Sequence, residues 1–432
     1  MMTLTEKILA RHAGKKRVEP GENIWIQADI LMTHDVCGPG TIGIFKKEFG
    51  PSARVWDRDR VVIIPDHYIF TQDKHAARNL EELRAFAREQ GVTHFFDAGT
   101  PRYRGVCHVT LAEEGFTLPG TTLFGTDSHT CTAGAFGLFA TGIGNTDAAF
   151  ILGTGKIWVK VPETMLFRFE GPLPPHVMAK DVILKIIGDI GVDSATYRAM
   201  EFEGEGISSL NMEERMTLCN MAIEAGGKNG IIRPDDKTNE FVKARTDRPF
   251  ETLDSDAGAG YSAIRTYKAG SLEPLVAQPF SPARVKPARE LKDVRLDQCY
   301  IGSCTGGKVT DFRAAASILR DKQVRIKTVI VPATMRVAEA LDTERIEGQT
   351  LAEIFKKAGA AIGPASCAAC LGGPGDTFGR LNHDEVCIST TNRNFPGRMG
   401  SKGSQTYLAS PLTAAASALT GRITDPRDMM EA

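Results

Sequence analysis

Residues 60–99 read RVVIIPDHYIFTQDKHAARNLEELRAFAREQGVTHFFDAG. The β-branched run at 61–64 predicts a buried strand that leaves its sheet at Pro65. In the following stretch Leu80, Leu83, Phe86 and Ala87 fall on one face of a helix, and Gly91 supplies its stop. THFFDAG then returns as a strand. A strand, a helix and a strand in succession are the signature of parallel α/β layers. The same grammar recurs near the end of the chain, where QCYIGSC and RIKTVIVPA read as strands and DFRAAASILRD and MRVAEALDT as helices. The predicted fold class is therefore α/β.

Single hydrophobic cores stop growing near roughly 250–300 residues, so 432 residues imply several domains. Residues 274–292, PLVAQPFSPARVKPARELK, contain four prolines and little periodicity, and predict an interdomain linker. A weaker break falls near Pro162. The expected domains are 1–163, 164–283 and 284–432. Apolar residues at 42% and charged residues at 24% place the chain among globular proteins. The 43 glycines are the deviation, and they point to tight turns and close backbone approaches. A net charge of -1 provides no field to recruit nucleic acid or an anionic membrane, and the uncharged tracts are too broken by Gly, Thr and Asn to span a bilayer. Neither partner is expected. Thr3 and Glu6 form a capping-box pattern at the start instead of a secretory leader, so a cytoplasmic location is expected, or an organellar one with the transit segment absent.

Ligands of open α/β sheets bind where strands run out. Five such places are polar: Asp66 and His67 in PDH, His108 in GVCHV, Asp127, Ser128 and His129 in GTDSHT, Cys304 in IGSCTGG, and Asn392, Arg393 and Arg398 in TTNRNFPGRMG. Taken singly, each reads as ordinary loop chemistry. Nine cysteines, odd in number and irregularly spaced, argue against a disulfide framework. Only Cys367 and Cys370, in IGPASCAACLGGPG (residues 362–375), cluster in sequence, amid small residues with little to pack. A CxxC can be half of a zinc site or a redox pair, but no second CxxC or HxxxH exists and the motif lies late in a large chain. A site with a third ligand from elsewhere is the remaining reading, with Cys304 the best candidate. Three thiolates suit an iron–sulfur cluster and leave one iron open as a Lewis acid.

Taken together, TEKILARHAG, FGTDSHTCTAGAFGLFATGIGNTD, YIGSCTGGKVTDFRAAASIL, SCAACLGG and STTNRNFPGRMG resemble the aconitase superfamily, in its two-subunit isopropylmalate dehydratase and homoaconitase branch. The resemblance covers nearly the whole chain. It implies three α/β/α domains with the cluster at their interface and no swivel domain. It also implies one [4Fe–4S] cluster on Cys304, Cys367 and Cys370, with one open iron. The implied reaction is removal and re-addition of water on a hydroxy-dicarboxylic acid, isopropylmalate first, with homoaconitate or a dimethylmalate as alternatives; RNA binding by a cluster-free form is the lesser reading.

Carried over residue by residue, the resemblance makes Asp66 and His67 the acid pair and pairs His108 with Asp127, beside His129. It adds Asn220 and Glu224, four apart on a predicted helix face, and gives substrate contacts to Ser128, Asn220, Asn392, Arg393 and Arg398. A serine base and further arginines belong to the swivel domain, so a separate small subunit is the expected partner. Three departures stand out: Gly40 near where aconitase has a substrate-binding Gln, Gly306 in place of the family's Asn after the first ligand, and Ala-Ala between the paired cysteines.

Overall fold

The computed structural model describes residues 1–430 and divides them into two compact units. The first contains Met1–Tyr103, Cys107–Glu170 and Ala195–Tyr267; the second contains Arg104–Val106, Gly171–Ser194 and residues 268–430.

The opening stretch folds as its pattern predicts. Strand Val61–Ile63 is wholly buried, as expected of a parallel strand covered on both faces. Helix Lys74–Gln90 starts at Asp73, whose carboxylate accepts from the His75 and Ala76 N–H groups, and ends at Gly91 in the left-handed conformation. The strand belongs to a five-stranded sheet ordered His94–Phe95, Val61–Ile63, Ile30–Thr33, Thr122–Gly125 and Phe139–Gly142, parallel throughout. The chain builds outward from Ile30–Thr33 in one direction, then crosses to build outward in the other. The topological switch point therefore lies between Ile30–Thr33 and Thr122–Gly125, the place where open α/β sheets bind their ligands. A second sheet of the same unit is ordered Asn229–Ile232, Ala199–Glu203, Thr164–Glu170 and Ala263–Lys268.

In the second unit a seven-stranded sheet has a parallel part ordered Gln405–Ala409, Val386–Ser389, Gln298–Gly302, Lys327–Val331 and Ala361–Ile362. Its switch point lies between Val386–Ser389 and Gln298–Gly302. The proline-rich residues 274–292 are not the predicted linker: Leu275–Ala277 and Val285–Pro287 pair antiparallel and extend this sheet beside Gln405–Ala409. Pro287 is tolerated because its strand is the sheet edge, where a missing N–H breaks no ladder.

The glycine-rich tract after Asp127 forms the 3-10 segment Ser128–Phe136, packed against helix Met212–Asn220 and strand Asn229–Ile232. A Cβ on Gly134 would stand 1.7 Å from the Gly230 carbonyl oxygen, so only glycine admits this approach. Gly134→Ala is expected to lower the unfolding midpoint in urea by forcing the 3-10 segment away from the strand, at a cost of about 1–3 kcal/mol. An unchanged midpoint would show that the segment can shift freely.

Candidate active site

The first group of candidate residues gathers at the switch point of the five-stranded sheet. Its centre is Asp127, just beyond Thr122–Gly125. Four of the chain's nine histidines surround this carboxylate. His108 Nε2 lies 3.0 Å and His129 Nδ1 3.3 Å from Oδ1, and His34 Nε2 and His67 Nε2 each lie 3.8 Å from Oδ2. Asp127 also caps its own turn by accepting from the His129 N–H at 2.8 Å. Burial pushes its pKa up, but hydrogen bonds from His108 and His129 outweigh burial and hold the carboxyl well below the ordinary value.

Asp66 and His67 follow strand Val61–Ile63 and are both buried. Asp66 Oδ2 accepts from the Cys107 N–H at 2.7 Å, and Oδ1 lies 2.7 Å from His67 Nδ1 in a close ion pair bent away from hydrogen-bond geometry. Burial alone would lower the His67 pKa, but Asp66, Asp127 and Asp35 raise it to about 10. Burial raises that of Asp66, and the His67 cation brings it below the usual carboxylate value. The ring is thus an imidazolium at neutral pH, with Nε2–H directed past its partner carboxylate.

His108 is not at a strand end: it sits in the first turn of helix Cys107–Glu113, where the helix backbone fixes its direction. Asn220 and Glu224 do not share one α-helix, because Met212–Asn220 ends there and Met221–Ala225 continues as a 3-10 turn. Both still reach the 3-10 segment: Asn220 Nδ2 donates to Thr132 Oγ1 at 2.7 Å, and Glu224 Oε1 meets His129 Nε2 at 2.8 Å. His129 thereby lies between two carboxylates. Ser128, partly exposed, places Oγ 3.5 Å from His129 Nδ1.

Sequence reasoning missed His34 and Asp35, which end strand Ile30–Thr33 on the other side of the same switch point. They offered the same signal as Asp66–His67, a polar pair where an apolar strand stops. Gly40 lies farther on, where a Cβ would stand 2.6 Å from Asn145 Nδ2.

The second group belongs to the other unit, at the switch point of its sheet. Cys304 follows Gln298–Gly302; Cys367 precedes the 3-10 turn Ala368–Leu371, and Cys370 lies within it. All three are buried, at 1%, 6% and 1% exposure, as are the two alanines between the pair, so the stretch is packed rather than bare. The Cys367 thiol hydrogen-bonds to both Cys304 and Cys370, and these bonds, with burial, hold it well above the ordinary thiol pKa. Asn392, beyond Val386–Ser389, bridges the other two: its Nδ2 donates to Cys304 Sγ and its Oδ1 accepts from Cys370 Sγ, each at 3.4 Å. Arg398 Nη2 lies 3.9 Å from Cys370 Sγ, with its guanidinium 5.8 Å from the centre of the Phe395 ring. Arg393 is partly buried next to Asn392.

Gly306 is dictated by packing. A Cβ there would meet Thr390 Oγ1 at 2.1 Å, and that hydroxyl already bonds the Gly302 N–H and carbonyl at 2.9 Å each. An asparagine has no room at this position. Two buried lysines complete the surroundings. Lys308 Nζ donates to the Cys304 carbonyl at 3.1 Å and pairs with Asp311 at 2.8 Å. Lys180 Nζ donates to the Thr390 and Thr391 carbonyls at 2.9 and 2.6 Å, and burial lowers its pKa to about 7. Nothing local marked Lys180, since HVMAKDVIL reads as an amphipathic helix.

This donor set fits an iron–sulfur cluster. All three thiols are buried, and that of Cys367, bonded to the other two, resists ionisation by itself and calls for metal charge to become a thiolate. The Tyr300 hydroxyl, fully buried among the same sulfurs, has no hydrogen-bond partner among the described residues, as expected of a donor kept for an acceptor that the side chains do not supply.

Among known proteins, the Aconitase family (aconitate hydratase) pattern matches residues 6–292 and 283–421. A protein of Arabidopsis thaliana, named 3-isopropylmalate dehydratase large subunit, chloroplastic, is 57% identical over 444 residues, covering 100% of this chain and 87% of the relative. The 3-isopropylmalate dehydratase large subunits of Aquifex aeolicus and Moorella thermoacetica are each 46% identical, with coverage of 100% of this chain and 98% and 100% of the relative. Matches of this extent and identity, on a chain whose two doubly wound sheets carry these groups at their switch points, show that it belongs to the aconitase family.

Proposed function

We propose that this chain is the large subunit of a hydro-lyase that isomerises 3-isopropylmalate by removing water and adding it back on the neighbouring carbon. The observation that carries the reading is the trio of buried thiols bridged by Asn392 and flanked by Arg398. The relatives' names favour isopropylmalate over the longer or smaller hydroxy-diacids.

The elimination is hard because hydroxide leaves poorly and the proton beside a carboxylate is weakly acidic. Cys304, Cys367 and Cys370 would hold a [4Fe–4S] cluster, one per chain; when bound, it supplies a Lewis-acidic iron that polarises the departing C–O bond. His67 carries the proton for the leaving oxygen at Nε2, and Asp66 at Nδ1 keeps that ring cationic before transfer. Asp127 holds His108 and His129 in fixed orientation, and Glu224 steadies His129 from its other nitrogen. Arg398 and Arg393 suit pairing with the substrate carboxylates through their planar forks, while Asn392 and Asn220 orient polar oxygens. Ser128 supplies a further hydroxyl contact.

The relatives are each named as a large subunit, which supports a small-subunit partner; by the family resemblance, that partner supplies the base that removes the carbon-bound proton. No described helix is long and apolar enough to cross a membrane. The nine cysteines, odd in number and irregularly spaced, suit a reducing compartment, which we take to be the cytoplasm. The test is to combine the anaerobically reconstituted chain with its small subunit and follow the conjugated alkene product in the ultraviolet. Turnover of isopropylmalate by the pair and none by the chain alone is expected; normal turnover by the chain alone would refute the need for a partner.

A further inference from the structure

The pair His34–Asp35 has no role in the scheme above, yet it occupies the switch point beside His67. One donor atom from each of His34, Asp35, Asp66 and His67 lies within 4.8 Å of the others, and all four residues are buried. Asp35 Oδ1 accepts from the Asp66 and His67 N–H groups at 2.9 and 3.1 Å, and Oδ2 accepts from the Tyr68 N–H at 2.5 Å. Three consecutive backbone donors thus converge on one carboxylate, and Asn79 Nδ2 bonds the Asp35 carbonyl at 3.1 Å from the following helix. The His34 ring packs on the His67 ring with centroids 4.6 Å apart and planes 38° apart. His34 Nδ1 accepts from the Val36 N–H at 3.3 Å.

We propose that Asp35 and His34 are positioning residues for the proposed proton transfer: Asp35 sets the turn that carries Asp66 and His67, and the His34 ring, held by Val36, fixes the plane of the His67 ring. The pair also divides charge. Asp35 adds a third carboxylate to Asp66 and Asp127 in keeping His67 protonated. His34 faces the same Asp127, and His108 approaches that carboxylate from its other oxygen. Burial first, and the neighbouring His67 cation second, lower the His34 pKa, so this ring stays neutral. With Nδ1 accepting, its proton is on Nε2. Two packed imidazoles of unlike charge confine the movable proton to one of them.

This proposal rests on the hydro-lyase reading, so its test has one arm that needs no turnover. In the wild-type chain, nitrogen-15 histidine spectra assigned with His34→Gln and His67→Gln should show, at neutral pH, His67 protonated on both nitrogens and His34 neutral with the proton on Nε2. A protonated His34, or one with its proton on Nδ1, would overturn the proposal. In the complex with the small subunit, Asp35→Asn should keep its iron content, lose about tenfold in kcat, and shift the alkaline limb of the kcat profile down by about one pH unit, the lower end of the effect of a nearby opposite charge. A fall in kcat with the limb unmoved would assign Asp35 a merely structural role. A wild-type complex without activity would refute the hydro-lyase reading, and the spectra would still decide the roles of His34 and Asp35.

Discussion

His67→Gln is expected to lower kcat of the assembled enzyme by about 10²- to 10⁴-fold, the range for loss of a positioned general acid, with a much smaller change in KM. Glutamine preserves the bulk and a hydrogen-bond donor but cannot hold a transferable proton, so the loss falls on the chemical step. The pH dependence has a definite sign. The folded-state pKa of His67 is raised from 6.5 to about 10. The acid form therefore persists through neutrality, and the alkaline limb of kcat should stand well above a free histidine's. The same shift links to stability. The contribution of protonated His67 is fully present below about 6.5 and is lost as pH rises toward about 10, so wild type should lose stability relative to His67→Gln across that interval. A variant within threefold of wild-type kcat would remove His67 from the role of acid.

Arg215→Met should destabilise the first unit by about 3–5 kcal/mol, the cost of breaking a buried ion pair from one side. Arg215 is fully buried and its guanidinium meets both oxygens of Asp235, at 2.8 and 2.5 Å. It also donates to the Leu210 and Ser208 carbonyls at 3.2 and 3.1 Å. Asp235 in turn caps helix Asp236–Lys243 through the Thr238 N–H. Methionine fills much of the volume but removes the guanidinium, leaving the Ser208 and Leu210 carbonyls to Lys237 Nζ alone and the Asp235 carboxylate to Thr238. The measurement is urea unfolding of the apo chain. A midpoint equal to wild type would mean that solvent at Asp235, whose side chain is one-third exposed, replaces the arginine fully.

The parallel layers were readable because their signals are local. A strand covered on both faces must be a short apolar run, and residues 61–64 are one. The candidate site was readable for a related reason: crevices open where such runs stop, and Asp66, Asp127, Cys304 and Asn392 each follow a run. His108 escaped that rule because a helix presents it. The edge hairpin within residues 274–292 was hidden by its prolines, which disqualify a central strand but not an edge strand. Asn220 and Glu224 matched a helix spacing, but the helix tightens into a 3-10 turn between them, and it is contact with the Ser128–Phe136 segment that unites their roles. Lys180 was illegible because its carbonyl acceptors, at Thr390 and Thr391, lie 210 and 211 residues away. Gly306 read as a missing amide, whereas the folded chain shows a position that Thr390 closes to any side chain.

The most direct test of the account is the iron and acid-labile sulfide content, with the visible spectrum, of the anaerobically purified and reconstituted chain beside Cys304→Ser. About four irons and about four sulfides per chain with broad visible absorption are expected, largely lost in the variant. A colourless wild-type chain without sulfide after reconstitution would contradict it.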